Sequence, residues 1–156
     1  MIADNALPQI IATVVPGQLR MRTLPRRFPN LYLVFESLVY SYMECFSEGY
    51  KGGSWEFYEL SNGGFYMSLS SDRVFNVEVT SNHFEGQLSA DAASIVANLF
   101  ALCHMANAHE QEYLTELYYE LKDYGKRLYV FCFLPINERR NEQVRLSSPF
   151  HIYNSN

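Results

Sequence analysis

The stretch Gly52–Leu69, GGSWEFYELSNGGFYMSL, constrains the fold more than any other. Its Asn62-Gly63 step lies between two runs rich in aromatic residues. A two-residue type I′ turn needs φ > 0 at both central positions, and Asn followed by Gly meets that demand at low cost. A turn at Asn62-Gly63 places Leu60 opposite Phe65, Tyr58 opposite Met67 and Glu56 opposite Leu69. Leu60, Tyr58, Phe65, Met67 and Leu69 then form a core face, and Trp55, Phe57, Glu59, Tyr66, Ser68 and Ser70 an outer one. That outer face sets polar groups beside three large aromatics, so Trp55, Phe57, Glu59, Asn62 at the turn and Tyr66 are the candidate interaction residues.

From Arg73 to Thr80, Phe75, Val77 and Val79 alternate with Asn76, Glu78 and Thr80, the period of a half-buried strand. Phe75 opposite Leu69, Val77 opposite Met67 and Val79 opposite Phe65 would complete a three-stranded antiparallel meander, with Ser70–Val74 as its hairpin loop. The spacing predicts helices over about 30–48, 89–108 and 110–124. The first is capped by Asn30, stopped by Gly49 and buried through Leu31, Val34, Phe35, Leu38, Val39, Tyr42 and Phe46. The second is capped by Ser89, after a loop Ser81–Leu88, and is apolar round most of its circumference, so it belongs in the centre. Gly125 stops the third. Residues 1–29 read as an irregular arm, because Pro8, Pro16, Pro25 and Pro29 punctuate them too often for a helix, although Ile10–Val15 suits a short strand. A basic cluster, Arg20, Arg22, Arg26 and Arg27, closes the arm. The segment Leu128–Leu134 fits a buried strand by composition and a packed helix by position; residues 138–156 read as a loosely ordered tail. The expected fold is one α+β domain over residues 1–156, a three-stranded meander packed on three to four helices.

At 156 residues such a domain buries about 70% of its unfolded surface. Hydrophobic content of 48% excludes a disordered chain, and no apolar run reaches the length of a membrane span. The first residues lack a basic region, which argues against a signal peptide. Cys45, Cys103 and Cys132 lie far apart in apolar segments, which predicts reduced, buried thiols in a cytoplasmic protein. Seventeen acids against twelve Lys and Arg give a net charge of −5. A duplex mimic must present about one negative charge per 1.7 Å of axis, which acids interleaved with bases do not supply. Strong nucleic-acid binding is not expected of an acidic domain either.

No catalytic, metal or cofactor site is expected. His104 and His109 stand about 140° apart round a helix, too far for one ion, and His104 suits a core position. His83 falls in a loop and His151 in the tail. Glu56 and Glu59 project from opposite faces of one strand, so they do not share a substrate.

The string WEFYELSNGGFYM, with Tyr50-Lys51-Gly52-Gly53 before it, closely resembles the signature of the ArdB/KlcA antirestriction family. The resemblance covers Tyr50–Met67 tightly and most of residues 10–137 loosely. Arg20, Leu24 and Pro25 match the family's Arg-x-x-Phe-Leu-Pro stretch, with Thr23 where its aromatic stands. Pro135-Ile136-Asn137 replaces the family's Ala-Ile-Asp, so Asn137 takes the place of a carboxylate. The resemblance favours a helix for Leu128–Leu134. It implies a non-enzymatic protein of plasmids and other mobile DNA that relieves type I restriction–modification, with that host system as partner and no cofactor or membrane. A different class of function remains open: a small binding module or enzyme that uses the aromatic outer face for a small molecule or base.

Overall fold

The computed structural model describes residues 8–128. Its central hairpin joins β3 (Trp55–Leu60) to β4 (Phe65–Leu69). The loop differs from the expected two-residue turn. The Gly63 N–H donates to the Leu60 carbonyl at 3.0 Å and the Leu60 N–H to the Gly64 carbonyl at 2.9 Å. Ser61, Asn62 and Gly63 therefore form a three-residue loop, with Gly63 left-handed at φ +98°. The Asn62 side-chain oxygen Oδ1 locks it by accepting the Gly64 N–H at 3.1 Å. The register slips by one residue: Trp55 faces Leu69, Phe57 faces Met67, Tyr58 faces Tyr66 and Glu59 faces Phe65. A slip of one turns every side chain of a strand over. Trp55 and Phe57 thus join Phe65, Met67 and Leu69, whereas Tyr66 and Ser68 share the opposite face with Glu56 and Tyr58.

The α+β class holds, but the strands sort into two antiparallel sheets rather than one meander. In the first, the order is β1-β3-β4, with β1 (Ala12–Val14) paired to β3 alone. The second orders β2 (Ser47–Glu48), β5 (Val74–Val79) and β6 (Phe84–Ser89) as β2-β5-β6. The expected β4–β5 pairing fails because the free edge of β4 is already occupied. Two side chains of α3 (Ala90–Ala108) bind it. Ser94 Oγ accepts the Leu69 N–H at 2.9 Å. Asn98 accepts the Met67 N–H at 2.9 Å and donates to the Met67 carbonyl at 2.8 Å. An edge strand must satisfy its outward backbone groups, and here a helix does so in place of a strand. Ser70–Val74 accordingly crosses between sheets. The expected loop Ser81–Leu88 is mostly β6; an internal glycine, Gly86 opposite Val77, hides its strand character from propensity.

The arm is also more regular than expected. It carries β1, a 3-10 turn (Gly17–Leu19) and α1 (Arg20–Arg27), with Pro25 inside the helix. Only two helical residues follow the proline, and buried Leu24 and Phe28 hold the segment down. The Phe28 ring stacks on Phe35 at 4.1 Å, which ties α1 to α2 (Tyr32–Phe46). Asn30 does not cap α2; it is left-handed at φ +62°, and Leu31 takes the cap position. The buried stripe of α2 is Phe35, Val39 and Met43, narrower than expected, and Val34 and Cys45 are exposed.

Central α3 is buried almost all round, and Ser89 caps it by accepting the Ala92 N–H at 3.1 Å. The last helix, α4 (Glu112–Leu128), runs through Gly125 instead of stopping there. A Cβ on Gly125 would come 3.3 Å from Ile95 of α3, so this glycine permits close helix packing. Cys132, Asn137, His151, residues 129–134 and the tail lie outside the described residues.

Candidate functional site

The register slip decides where the five candidate interaction residues go. Trp55 and Phe57 are only 5% and 7% exposed, and Tyr66, on the other face, is 2% exposed. The expected exposed aromatic face is therefore absent, because β3 presents those rings to α1 and α2 and β4 presents Tyr66 to α3 and α4. Glu59 stands at the sheet rim, 2.6 Å from Arg26 and 3.4 Å from Arg27. Asn62 donates to the Glu120 carbonyl at 2.9 Å, which fastens the hairpin tip to α4. His104 is exposed, contrary to expectation, with Nδ1 3.0 Å from the Tyr42 hydroxyl.

Tyr66 belongs to a buried polar knot. Its hydroxyl donates to Asp91 Oδ1 at 2.9 Å, Ser68 donates to the same oxygen at 2.7 Å, and Tyr58 stacks on the Tyr66 ring at 5.3 Å. Burial first, then the Asp91 charge, holds the Tyr66 phenol far above its ordinary range. The sign for stability follows. Above pH about 10 the unfolded chain releases the Tyr66 proton and the folded one keeps it, so stability present below that pH falls as pH rises, by about 1.4 kcal/mol per unit. Tyr66→Phe should be less stable than the parent at pH 8, yet lose stability more shallowly between pH 10 and 11 in chemical denaturation. Equal slopes would mean that Tyr66 ionises freely in the folded protein.

A cleft of ≈ 580 Å³ opens beside the edge of β3, against α2 and the loop after β2. The Trp55 indole forms its floor. The Tyr40 ring lies 5.4 Å from the indole and the Tyr50 ring 6.1 Å, nearly perpendicular. Each ring is pinned by a polar contact. Trp55 Nε1 donates to the Tyr50 hydroxyl at 3.3 Å, and the Tyr40 hydroxyl donates to Glu36 at 2.9 Å. Burial, then the hydrogen bond and charge of Glu36, keeps the Tyr40 phenol well above its usual pKa, so it stays a donor. From behind, the Arg20 guanidinium donates to the Trp55 carbonyl and lies 5.2 Å over Phe57.

The outer lip is Lys51-Gly52-Gly53. Gly52 and Gly53 sit at φ +86° and +150°, conformations that a side chain would strain. Glu44 faces the lip from α2. Sequence reasoning named Trp55 but missed Arg20, Glu36, Tyr40 and Glu44 as its neighbours. The available signal was the four-residue spacing Glu36–Tyr40–Glu44, which puts all three on one strip of α2. Among the described residues, no group of three His, Cys, Asp or Glu side chains gathers to hold a metal ion.

The loop, the hairpin and both later helices lie within residues 48–128, which match a family model described as Antirestriction protein. The chain belongs to the antirestriction protein family. The antirestriction protein KlcA of Escherichia coli is 43% identical over 77% of this chain and 88% of its own length. YafX of Escherichia coli K12, an uncharacterized protein, is 37% identical over 75% of this chain and 80% of its own. A solved structure from work on KlcA and ArdB superimposes with a TM-score of 0.70 at 40% identity, covering 76% of this chain and 87% of that one. KlcA and ArdB are described there as having a novel fold and antirestriction activity against Type I DNA restriction systems in vivo but not in vitro. In this antirestriction protein the family-matched segment supplies the lip and floor of the cleft, and α1 and α2 supply its back and one wall.

Proposed function

We propose that this protein relieves type I restriction–modification of incoming plasmid or other mobile DNA, acting in the cytoplasm as a single antirestriction unit. The observation that carries the reading is the likeness to KlcA and ArdB in sequence and fold. It acts by binding a protein of the host, directly on the restriction system or on a factor that controls it, and not by catalysis. The contact surface is the Trp55 cleft with its lip at residues 50–53; Glu59 and Asn62, at the far end of the same hairpin, give a second contact point. Trp55, Phe57 and Tyr66 serve this surface from beneath, by fixing its shape.

DNA mimicry is disfavoured by charge. The chain carries −5 overall, and acids such as Glu59 and Asp123 are neutralised by adjacent arginines rather than arrayed along an axis. Among the described residues no helix is long and apolar enough to cross a membrane. Phage plated on a host with a type I system should form about tenfold or more plaques when this gene is expressed, with no change on a host lacking the system. Equal plating on the restricting host with and without the gene would remove the reading.

A further inference from the structure

Three aromatic rings and the Glu44 carboxylate make the Trp55 cleft chemically specific. On this face of the first sheet, aromatic rings already bind guanidinium groups of the chain itself. Arg20 lies 5.2 Å over Phe57, and Arg27 lies 5.8 Å over Phe65. Trp55, the remaining aromatic of the face, carries no such cation among the described residues, and it is the one that lines an open cleft. Two half-buried tyrosines flank it, with ring orientations fixed by hydrogen bonds to Glu36 and from Trp55 Nε1. Preorganised rings hold a cation at little conformational cost. A Tyr40 hydroxyl bound to a carboxylate also leaves its ring more electron-rich, which strengthens that attraction.

We infer that this cleft is the receptor for one arginine or lysine side chain of the partner protein, seated between the Tyr40 and Tyr50 rings beside Glu44. The inference rests on reading the cleft as the contact surface. Charge complementarity selects the occupant: Glu44 meets the cation, and Lys51 across the lip answers an acidic neighbour on the same segment. A nucleic acid is the poorer fit, because its phosphates would meet the Glu44 carboxylate and the apolar ring faces, with Lys51 alone among the lining residues to attract them. The chain has one tryptophan, so the indole N–H resonance of Trp55 reports on this cleft alone.

The test titrates the full chain with acetyl-Ala-Arg-Ala-amide and its lysine counterpart, following that resonance. The controls are the citrulline peptide, which is neutral but nearly the same shape, and dAMP. A saturable shift with the two cationic peptides is expected, weakened about fivefold by Glu44→Gln and strengthened by Lys51→Ala. Absence of a saturable shift at tens of millimolar overturns the inference, as does equal binding of the citrulline peptide. Tighter, Lys51-dependent binding of dAMP overturns it in favour of a nucleotide site. Glu44→Gln is also assayed for restriction relief in cells. Loss of peptide binding with relief intact supports the cation site and removes the cleft from the antirestriction contact. Loss of relief with no peptide binding by the parent overturns the cation site and leaves the contact surface standing.

Discussion

Asn98→Ala should lower the melting temperature by about 10 °C, one of the largest effects expected from a single substitution in this chain. Asn98 is fully buried, and its amide joins Met67 N–H, Met67 C=O and the Ser94 carbonyl, the last at 2.7 Å. Alanine strands both Met67 backbone groups on a strand edge that water does not reach. Each buried orphan costs about 1–3 kcal/mol, so the loss from the two is about 2–6 kcal/mol. For a chain of this size each kcal/mol is worth about 2–4 °C. Ser94→Ala removes only the acceptor of the Leu69 N–H and should cost less. Amide exchange adds a local check, because the Met67 N–H should lose protection in Asn98→Ala more than amides of β5. A melt within about 1 °C of the parent would show that another strand or ordered water serves this edge.

Remodelling the lip of the cleft should reduce restriction relief in cells at least about tenfold, the difference made by about 1.4 kcal/mol of lost binding. The variant combines Glu44→Arg, Lys51→Glu and Tyr50→Ala. Glu44 and Lys51 are exposed and Tyr50 half-buried, so the fold should survive, as a thermal melt will verify. The comparison set is Glu112→Gln with Glu116→Gln, two exposed acids of α4. Glu120 is left alone, because burial and the neighbouring Glu116 charge raise its pKa and its carboxyl packs against the hairpin tip at Gly63. Contact through the cleft predicts that relief survives the amide pair and fails with the lip variant. The opposite result would favour a charge decoy, which depends on exposed acids. Trp55→Ala and Tyr66→Ala do not serve this comparison. Both rings are buried, and removing either would mix a folding defect with a binding one.

Much of this was legible before the structure. The 3.6-residue periodicity located α2, α3 and α4 to within a few residues, because burial of one helix face is a local property of spacing. Ser89 was recognisable as a cap, since an N-cap needs only a hydroxyl before an apolar helical run. The glycine at position 63 marked a hairpin, because few other residues take φ +98° without strain. The family signature was legible too, and it supplied the function that no composition or motif contained.

The tertiary structure decided three things that spacing does not encode. Loop length is one: Ser61–Gly64 accommodates a two- or a three-residue turn with similar ease, and that choice alone sent Trp55 and Phe57 inward. The partner of an edge strand is another. β4 needed its outward backbone groups satisfied, and whether β5 or the Ser94 and Asn98 side chains did so was a competition between segments far apart in sequence. Last is the cleft, where Arg20, Tyr40, Tyr50 and Trp55 meet from a short arm helix, a long helix, a loop and a strand. Sequence by itself determined the three long helices, the segments that would pair as a hairpin and the family they resemble, because each follows from neighbours along the chain; the short proline-containing α1 it did not. Only the folded chain determined register, sheet partners and the cleft, because these depend on which distant groups satisfy one another's hydrogen bonds once water is excluded.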